Sequence, residues 1–310
     1  MNIVFFGNAD FGCNTLTGLT KTNHTIVGVV TNKDAKSGRS QKYIPTPIKK
    51  TALDHNLPLL EVDDIRNKDF VKELNTLNAD LFIVIAYKIL PKTIYSLPKY
   101  GAINIHASLL PQYKGPSPIQ EALINGDTQT GLSSFFIDQS IDGGNLIFQE
   151  EIDILDCDDF GSLWLKLATM SVSFTKKTID MILSDEKKLL NKKTPESYAP
   201  KINKNQLKID WGKDAVRVNN QVRAFSPYPC VFSFLNKKRI KVFKAKPLDL
   251  LVEKELAPGQ FFIDNNRVVV KCGRGFLEIL ELQPESKKRL SASEFLNGYL
   301  PSIEKYQFEN

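Results

Sequence analysis

In the first hundred residues, short apolar runs alternate with helical stretches, and one run, Leu81-Phe82-Ile83-Val84-Ile85, carries no polar residue on either side of a strand. A strand apolar on both sides has to be buried on both sides, which is the environment of a parallel sheet covered by helices. Its neighbours repeat the theme. Period-2 and short apolar patterns predict strands over residues 2–6, 24–31, 58–62 and 80–86, and helical patterns fall between them over 10–20, 46–56 and 68–77. Parallel strands need a crossover, and a helix is the usual one, so this alternation predicts a doubly wound α/β sheet. Strands over 101–106, 131–138 and 145–154 and a helix over 116–125 extend the pattern. A long helix over 160–183 follows, with Leu163, Leu167, Met170, Phe174 and Met181 as its core-facing stripe.

The pattern then changes. Residues 184–200 are polar, rich in lysine and end in proline, which marks a linker. After a helix over 216–225, stopped by Pro227-Tyr228-Pro229, short alternating strands are predicted over 231–235, 240–246, 260–264, 267–272 and 276–282. Turn residues join them: Asn236-Lys237-Lys238, Asn265-Asn266 and Gly273-Arg274-Gly275. Five short strands fit a small OB-like β-barrel, with a closing helix over 291–299. At 310 residues the chain exceeds one ordinary core. The expected division is an N-terminal domain over 1–185, a linker over 186–203 and a C-terminal barrel domain over 204–310.

Composition narrows the function classes. No apolar run reaches the roughly 18–20 residues of a membrane span, and the first residues lack the basic region and cleavage site of a signal peptide, so a cytoplasmic protein is expected. Cys13, Cys157, Cys230 and Cys272 are scattered, with neither a Cys-x-x-Cys pair nor a His cluster, and no metal site is expected. Gly7-Asn8-Ala9-Asp10-Phe11-Gly12 is not a dinucleotide fingerprint. Charge is unevenly shared: residues 201–310 hold 20 Lys and Arg against 12 Asp and Glu, while residues 1–200 hold 21 against 23. A basic C-terminal third suits a polyanionic partner, and equally an ordinary solvated surface.

The residues richest in chemistry lie between Asn104 and Asp142. Asn104 and His106 are two apart on a predicted strand and therefore share a face, just before a chain reversal at Leu110-Pro111. In an open α/β sheet, ligands bind beyond such strand ends. Asn104 can donate to a carbonyl oxygen, His106 can donate or carry a proton, and Asp142 on a glycine-backed turn can orient the imidazole. No Gly-x-Ser-x-Gly elbow surrounds Ser108, so the nucleophile is better supplied by a substrate, and acyl transfer between two substrates fits. A buried Asn and His satisfied by backbone groups fits the pattern as well.

One resemblance bears on that choice. Asn104-x-His106-x-Ser108-Leu109-Leu110-Pro111, followed by Gly115, Pro118-Ile119-Gln120, Gly126-Asp127, Thr130-Gly131 and Asp142-x-Gly144, resembles the signature of the formyltransferases that use 10-formyltetrahydrofolate. The similarity runs over nearly the whole chain, and within that family it is greatest to the branch that formylates initiator methionyl-tRNA. The resemblance implies a Rossmann-like catalytic domain with Asn104, His106 and Asp142 as catalytic residues. It implies that Ser108, Leu109, Leu110 and Pro111 line the folate site, that the co-substrate is 10-formyltetrahydrofolate with no metal, and that the protein is a monomer. It also makes the segment 32–43 a tRNA-engaging loop with Arg39 as the arginine of its Gly-Arg pair and Lys42 nearby. Lys201, Lys204 and Lys208 are the expected tRNA contacts where the basic C-terminal domain begins. The chain departs from the family in three places: Asn8-Ala9 replaces Thr-Pro, a glycine is missing after Ala86-Tyr87, and Gln112-Tyr113-Lys114 replaces Arg-aromatic-Arg. A formyltransferase acting on a small amine, such as an amino-sugar nucleotide, is the alternative implied.

Overall fold

The computed structural model describes residues 1–37, 42–184, 195–250, 255–299 and 306–309. The chain forms two compact units, one of residues 1–115, 129–152 and 164–198, the other of residues 116–128, 153–163 and 199–310.

In chain order the elements begin with β1 (Asn2–Gly7), α1 (Phe11–Leu19), β2 (Thr25–Thr31), β3 (Ala35–Ser37), β4 (Lys42–Ile44), α2 (Pro47–Asp54), β5 (Leu59–Glu61) and α3 (Lys68–Thr76). They continue with β6 (Leu81–Ile85), α4 (Lys92–Tyr95), β7 (Ala102–His106), α5 (Pro118–Asn125), β8 (Gln129–Phe136), β9 (Leu146–Asp153) and α6 (Phe160–Leu183). Helix starts follow local chemistry. Thr46 accepts from the Lys49 amide ahead of Pro47, and Asn67 accepts from the amides of Asp69 and Phe70, each satisfying donors that a first helical turn leaves open.

Among the described residues the first unit is built on a sheet in the order β5-β2-β1-β6-β7-β8-β9. Pairing is parallel from β5 through β7. At β8 it becomes antiparallel to β7, a change of direction that residue alternation does not encode. The two central strands hold the apolar runs that define the fold: Ile3 to Phe6 and Leu81 to Ile85 are almost wholly buried. The strand order reverses between β1 and β6, and the site of such a sheet is expected beyond the carboxyl ends there. Within the expected polar loop 32–43, β3 and β4 form an antiparallel ribbon, with Lys36 opposite Tyr43 and its ammonium 5.6 Å from the ring centroid.

The second unit adds α7 (Ala215–Phe225), β10 (Val231–Leu235), β11 (Lys238–Leu248), β12 (Phe261–Asp264), β13 (Arg267–Lys271), β14 (Phe276–Pro284), β15 (Leu290–Ser291), α8 (Ala292–Tyr299) and β16 (Phe308–Glu309). The sheet order is β12-β13-β14-β11-β10-β16, with β15 beside β14. Register shifts at Val242, Lys244 and Ala245 let the long β11 bend against β14. The last strand then closes the ring. Phe308 and Glu309 pair with Leu235 and Phe234 of β10. On the other side Gln307 bridges Gln260, the Phe308 amide donates to Gly259 O (2.8 Å), and the Phe261 amide donates to Tyr306 O (3.0 Å). The closed sheet is the barrel expected from its five main strands. Its core centres on Trp211, fully buried, stacked on Phe308 and donating from Nε1 to Ser233 Oγ at 3.0 Å.

Candidate active site

β7 ends at the strand-order reversal's side of the first unit, next to β6, and carries Asn104 and His106 toward its carboxyl end. Asn104 is half-buried, and its side chain makes no hydrogen bond to another described residue, which leaves the amide for an incoming group. His106 is 7% exposed and held on both sides. Its Nε2 lies 2.8 Å from Tyr113 O, and because a carbonyl only accepts, that nitrogen carries the proton. Its Nδ1 lies 3.8 Å from Asp142 Oδ2. The same carboxylate oxygen accepts from the Gly115 amide at 2.8 Å, so Asp142 is fixed by the loop that also supplies Tyr113.

Asp142 stands where the backbone is left-handed (φ 49°), a conformation Asp tolerates better than most residues. Close approach sets the turn behind it. A Cβ at Gly144 would lie 1.8 Å from Phe136 O, so the residue two places after Asp142 has to be glycine for the strand to pass. Gly131 answers a similar need on β8, where a Cβ would meet Glu150 O at 2.2 Å and the Leu109 side chain at 2.7 Å.

The segment from Ser108 to Lys114 is a buttressed turn with a cis Leu110–Pro111 peptide. Ser108 is fully buried and donates to Gln112 O at 2.7 Å. Ser133 of β8 binds the turn from beneath, donating to Ser108 O (2.6 Å) and accepting from the Leu110 amide (3.0 Å). Gln149 of β9 donates to Leu110 O (2.8 Å) and to Ser133 Oγ (2.7 Å). Ser108 and Leu110 therefore spend their polar groups on shaping the turn, while Leu109 remains half-buried at its surface. Sequence reading did not single out Ser133 or Gln149. A hydroxyl and an amide on strands beside apolar residues were the available signal, and their partners are 25 and 39 residues away.

Just beyond β6, Tyr87 precedes the point where the family's glycine is missing. Its ring packs against Phe6 at 5.6 Å, its hydroxyl is buried with no partner among the described residues, and burial pushes the phenol up to about 12. Lys114, which stands where the family has arginine, reaches Glu196 at 2.9 Å. Asn8, in place of the family's threonine, accepts from the Asn32 amide (2.9 Å) and the Thr31 hydroxyl (3.1 Å), tying β1 to β2.

The structure thus brings Asn104, His106, Asp142 and the 108–111 turn together in the first unit. Of the expected tRNA contacts, Arg39 lies outside the described residues, and Lys42 opens β4. Lys201, Lys204 and Lys208 are exposed in the second unit, on and beside a 3-10 turn over Lys204–Leu207 that Asn203 caps. Among the described residues no His, Cys, Asp and Glu cluster could hold a metal, and no helix is long and apolar enough to cross a membrane.

Residues 1–179 match the formyl transferase family, and residues 201–300 match the formyl transferase C-terminal domain. A methionyl-tRNA formyltransferase of Thermodesulfovibrio yellowstonii is 40% identical over 300 residues, covering 96% of this chain and 95% of that protein. One of Geobacter sulfurreducens is 36% identical over 304 residues, covering 96% and 94%. In fold, the chain is similar to the crystal structure of an N-formyltransferase from Helicobacter canadensis in complex with folinic acid and dTDP-3-aminofucose. That likeness has a TM-score of 0.67 and 21% identity over 91% of this chain and 98% of the other. With both domain matches in order along one chain and relatives of this identity spanning nearly its full length, the protein belongs to the formyl transferase family, in its methionyl-tRNA formyltransferase branch.

Proposed function

We propose that this enzyme transfers the formyl group of 10-formyltetrahydrofolate to the α-amino group of methionine on initiator tRNA. The observation that carries the reading is the Asp142 carboxylate 3.8 Å from the His106 imidazole, on the strand that carries Asn104 two residues earlier on the same face. The full-length relatives are methionyl-tRNA formyltransferases, which favours an aminoacyl-tRNA acceptor over a small amine.

The acceptor amine attacks the formyl carbon as the neutral base. A free α-amino group titrates near 7.7–8.0, and esterification of the adjacent carboxyl lowers that, so little deprotonation is needed near neutral pH. A C–N bond forms and the carbonyl oxygen becomes an oxyanion. Its collapse breaks the bond to the donor nitrogen, which receives the proton lost by the amine through His106 or water. The chain's own contribution is placement and charge stabilisation. Asn104 donates to the oxyanion, His106, its Nε2 proton held on Tyr113 O, takes up and passes on a proton at Nδ1, and Asp142 balances positive charge that develops on the ring. The bound donor supplies the activated one-carbon group. Ser108, Leu109, Leu110 and Pro111 would shape its site, and Tyr87 Oη, buried without a partner among the described residues, suits the polar edge of a pterin ring. Arg39 and Lys42 would engage the acceptor end, and Lys201, Lys204 and Lys208 the phosphates. Residues 1–185 are assigned to catalysis, 186–203 to the connector and 204–310 to RNA binding, supported by the extents of the two family matches.

The test is direct. Enzyme is incubated with 10-formyltetrahydrofolate with and without methionyl initiator tRNA, and formyl-methionyl-tRNA is measured. Formyl release at the same rate without tRNA would indicate a hydrolase, and turnover only with an amino-sugar nucleotide would indicate the small-amine alternative.

A further inference from the structure

We infer that Ser197, in the connector between the two matched domains, is a positioning residue for the reaction: it locks the Tyr113 peptide whose carbonyl holds His106. The inference rests on the proposed role of His106. Tyr113 has φ 58°, a left-handed backbone that an L side chain adopts only when its surroundings hold it there. Ser197 supplies much of that hold. Its Oγ accepts from the Tyr113 amide at 2.9 Å, its carbonyl accepts from the Lys114 amide at 2.9 Å, and its own amide donates to Pro111 O at 3.3 Å. Glu196 beside it pairs with Lys114 Nζ at 2.9 Å, and Tyr198 bridges Lys114 in parallel fashion.

Residues 196–198 thus lie along the 111–114 turn as a short added strand. The peptide groups on both sides of Tyr113 each donate to Ser197, and the second of them, through the Tyr113 carbonyl, accepts from His106 Nε2 at 2.8 Å. Ser197 itself is exposed and reaches the imidazole only through Tyr113. Loss of its hydroxyl removes the bond between Ser197 Oγ and the Tyr113 amide and loosens the turn, so the ring loses its fixed direction while the turn over Ser108 to Pro111 stays held by Ser133 and Gln149. The signature of a positioning role is therefore a loss in kcat rather than in KM.

The experiment compares Ser197→Ala and Ser197→Thr in the full-length enzyme. Ala should lower kcat by about tenfold, in line with the sensitivity of catalysis to small misplacements, with both KM values within about twofold, and Thr, which keeps the acceptor oxygen, should restore most of the rate. A second readout needs no turnover. The chain has 3 histidines, so in protein labelled with ¹⁵N-histidine the His106 ring signals are readily assigned, and the Nε2 signal should shift in Ser197→Ala and return in Ser197→Thr. An unmoved Nε2 signal in the Ala variant overturns the inference whatever the rate. A shifted signal with wild-type kcat leaves the contact standing and instead removes His106 from the chemistry, so the two failures are told apart.

Discussion

Asn104→Ala removes one proposed oxyanion donor, and turnover should fall by about 10²- to 10³-fold, with tRNA binding nearly unchanged, because such a donor acts in the transition state. Single-turnover formylation alongside a tRNA binding titration checks both halves. His106→Ala should lose at least as much; near-normal turnover there would end the mechanism. Asp142→Asn is the sharper probe of charge. Asn tolerates the left-handed backbone at this position as Asp does, and its side-chain oxygen can still accept from the Gly115 amide, so the turn should persist. What disappears is the negative charge 3.8 Å from His106 Nδ1. A loss of turnover of roughly 100-fold or more, with an unchanged melting curve, is the expected result, on the scale found when a single preorganised electrostatic group is removed. The Asn-x-His spacing and a carboxylate set on a glycine turn were legible in the sequence, and the family resemblance gave these three residues their expected role. Their meeting was not legible, since Asp142 reaches the site through a loop whose path depends on Gly144 passing under Phe136 O.

The turn from Ser108 to Lys114 shows what the scale of an element adds. Its tight reversal followed from Leu110-Pro111, but what holds it came from elsewhere: two side chains on β8 and β9 and a stretch of connector. Polar residues on strands look alike in sequence whether they face water or a buried peptide group, and only the sheet register tells them apart. Ser133→Ala tests that support. It leaves the Ser108 carbonyl and the Leu110 amide buried without a partner, which should cost about 1–3 kcal/mol in denaturant unfolding. The KM for the folate substrate should rise as the turn loosens. A variant with unchanged stability and KM would show that the hydroxyl carries no such role. The strand–helix alternation of the first unit and the short strands of the second could be read because burial on two faces, or on one, writes itself into composition at period 2. The antiparallel turn at β8 and the small ribbon of β3 and β4 could not, because neither strand direction nor a three-residue pairing leaves a periodic trace.

For the molecule as a whole, the uneven charge sets a prediction about salt. If Lys201, Lys204 and Lys208 track phosphates, their joint replacement by Ala should weaken tRNA binding broadly and flatten the dependence of log Kd on log salt by roughly 0.7–0.9 for each phosphate no longer neutralised. The rate at saturating tRNA should hardly change. A wild-type slope in the triple variant would remove these lysines from the RNA face. The thiols report on the second unit. Cys230 and Cys272 are buried, and burial pushes them up to about 11 and about 12, while Cys157 is exposed. Because the folded state keeps protons that the unfolded state gives up, the stability they contribute is present below the ordinary thiol range and is lost as pH rises toward 11. Unfolding measured between about pH 8 and 11 should show that decline, and Cys272→Ala should lessen it. The short last strand has a further consequence. By lying between β10 and the start of β12, residues 306–309 occupy two rows of amides and carbonyls that would otherwise face solvent. Released from that place, each molecule would offer two adhesive borders to its neighbours. Damage to these few residues should therefore announce itself first as concentration-dependent self-association of a still largely folded enzyme.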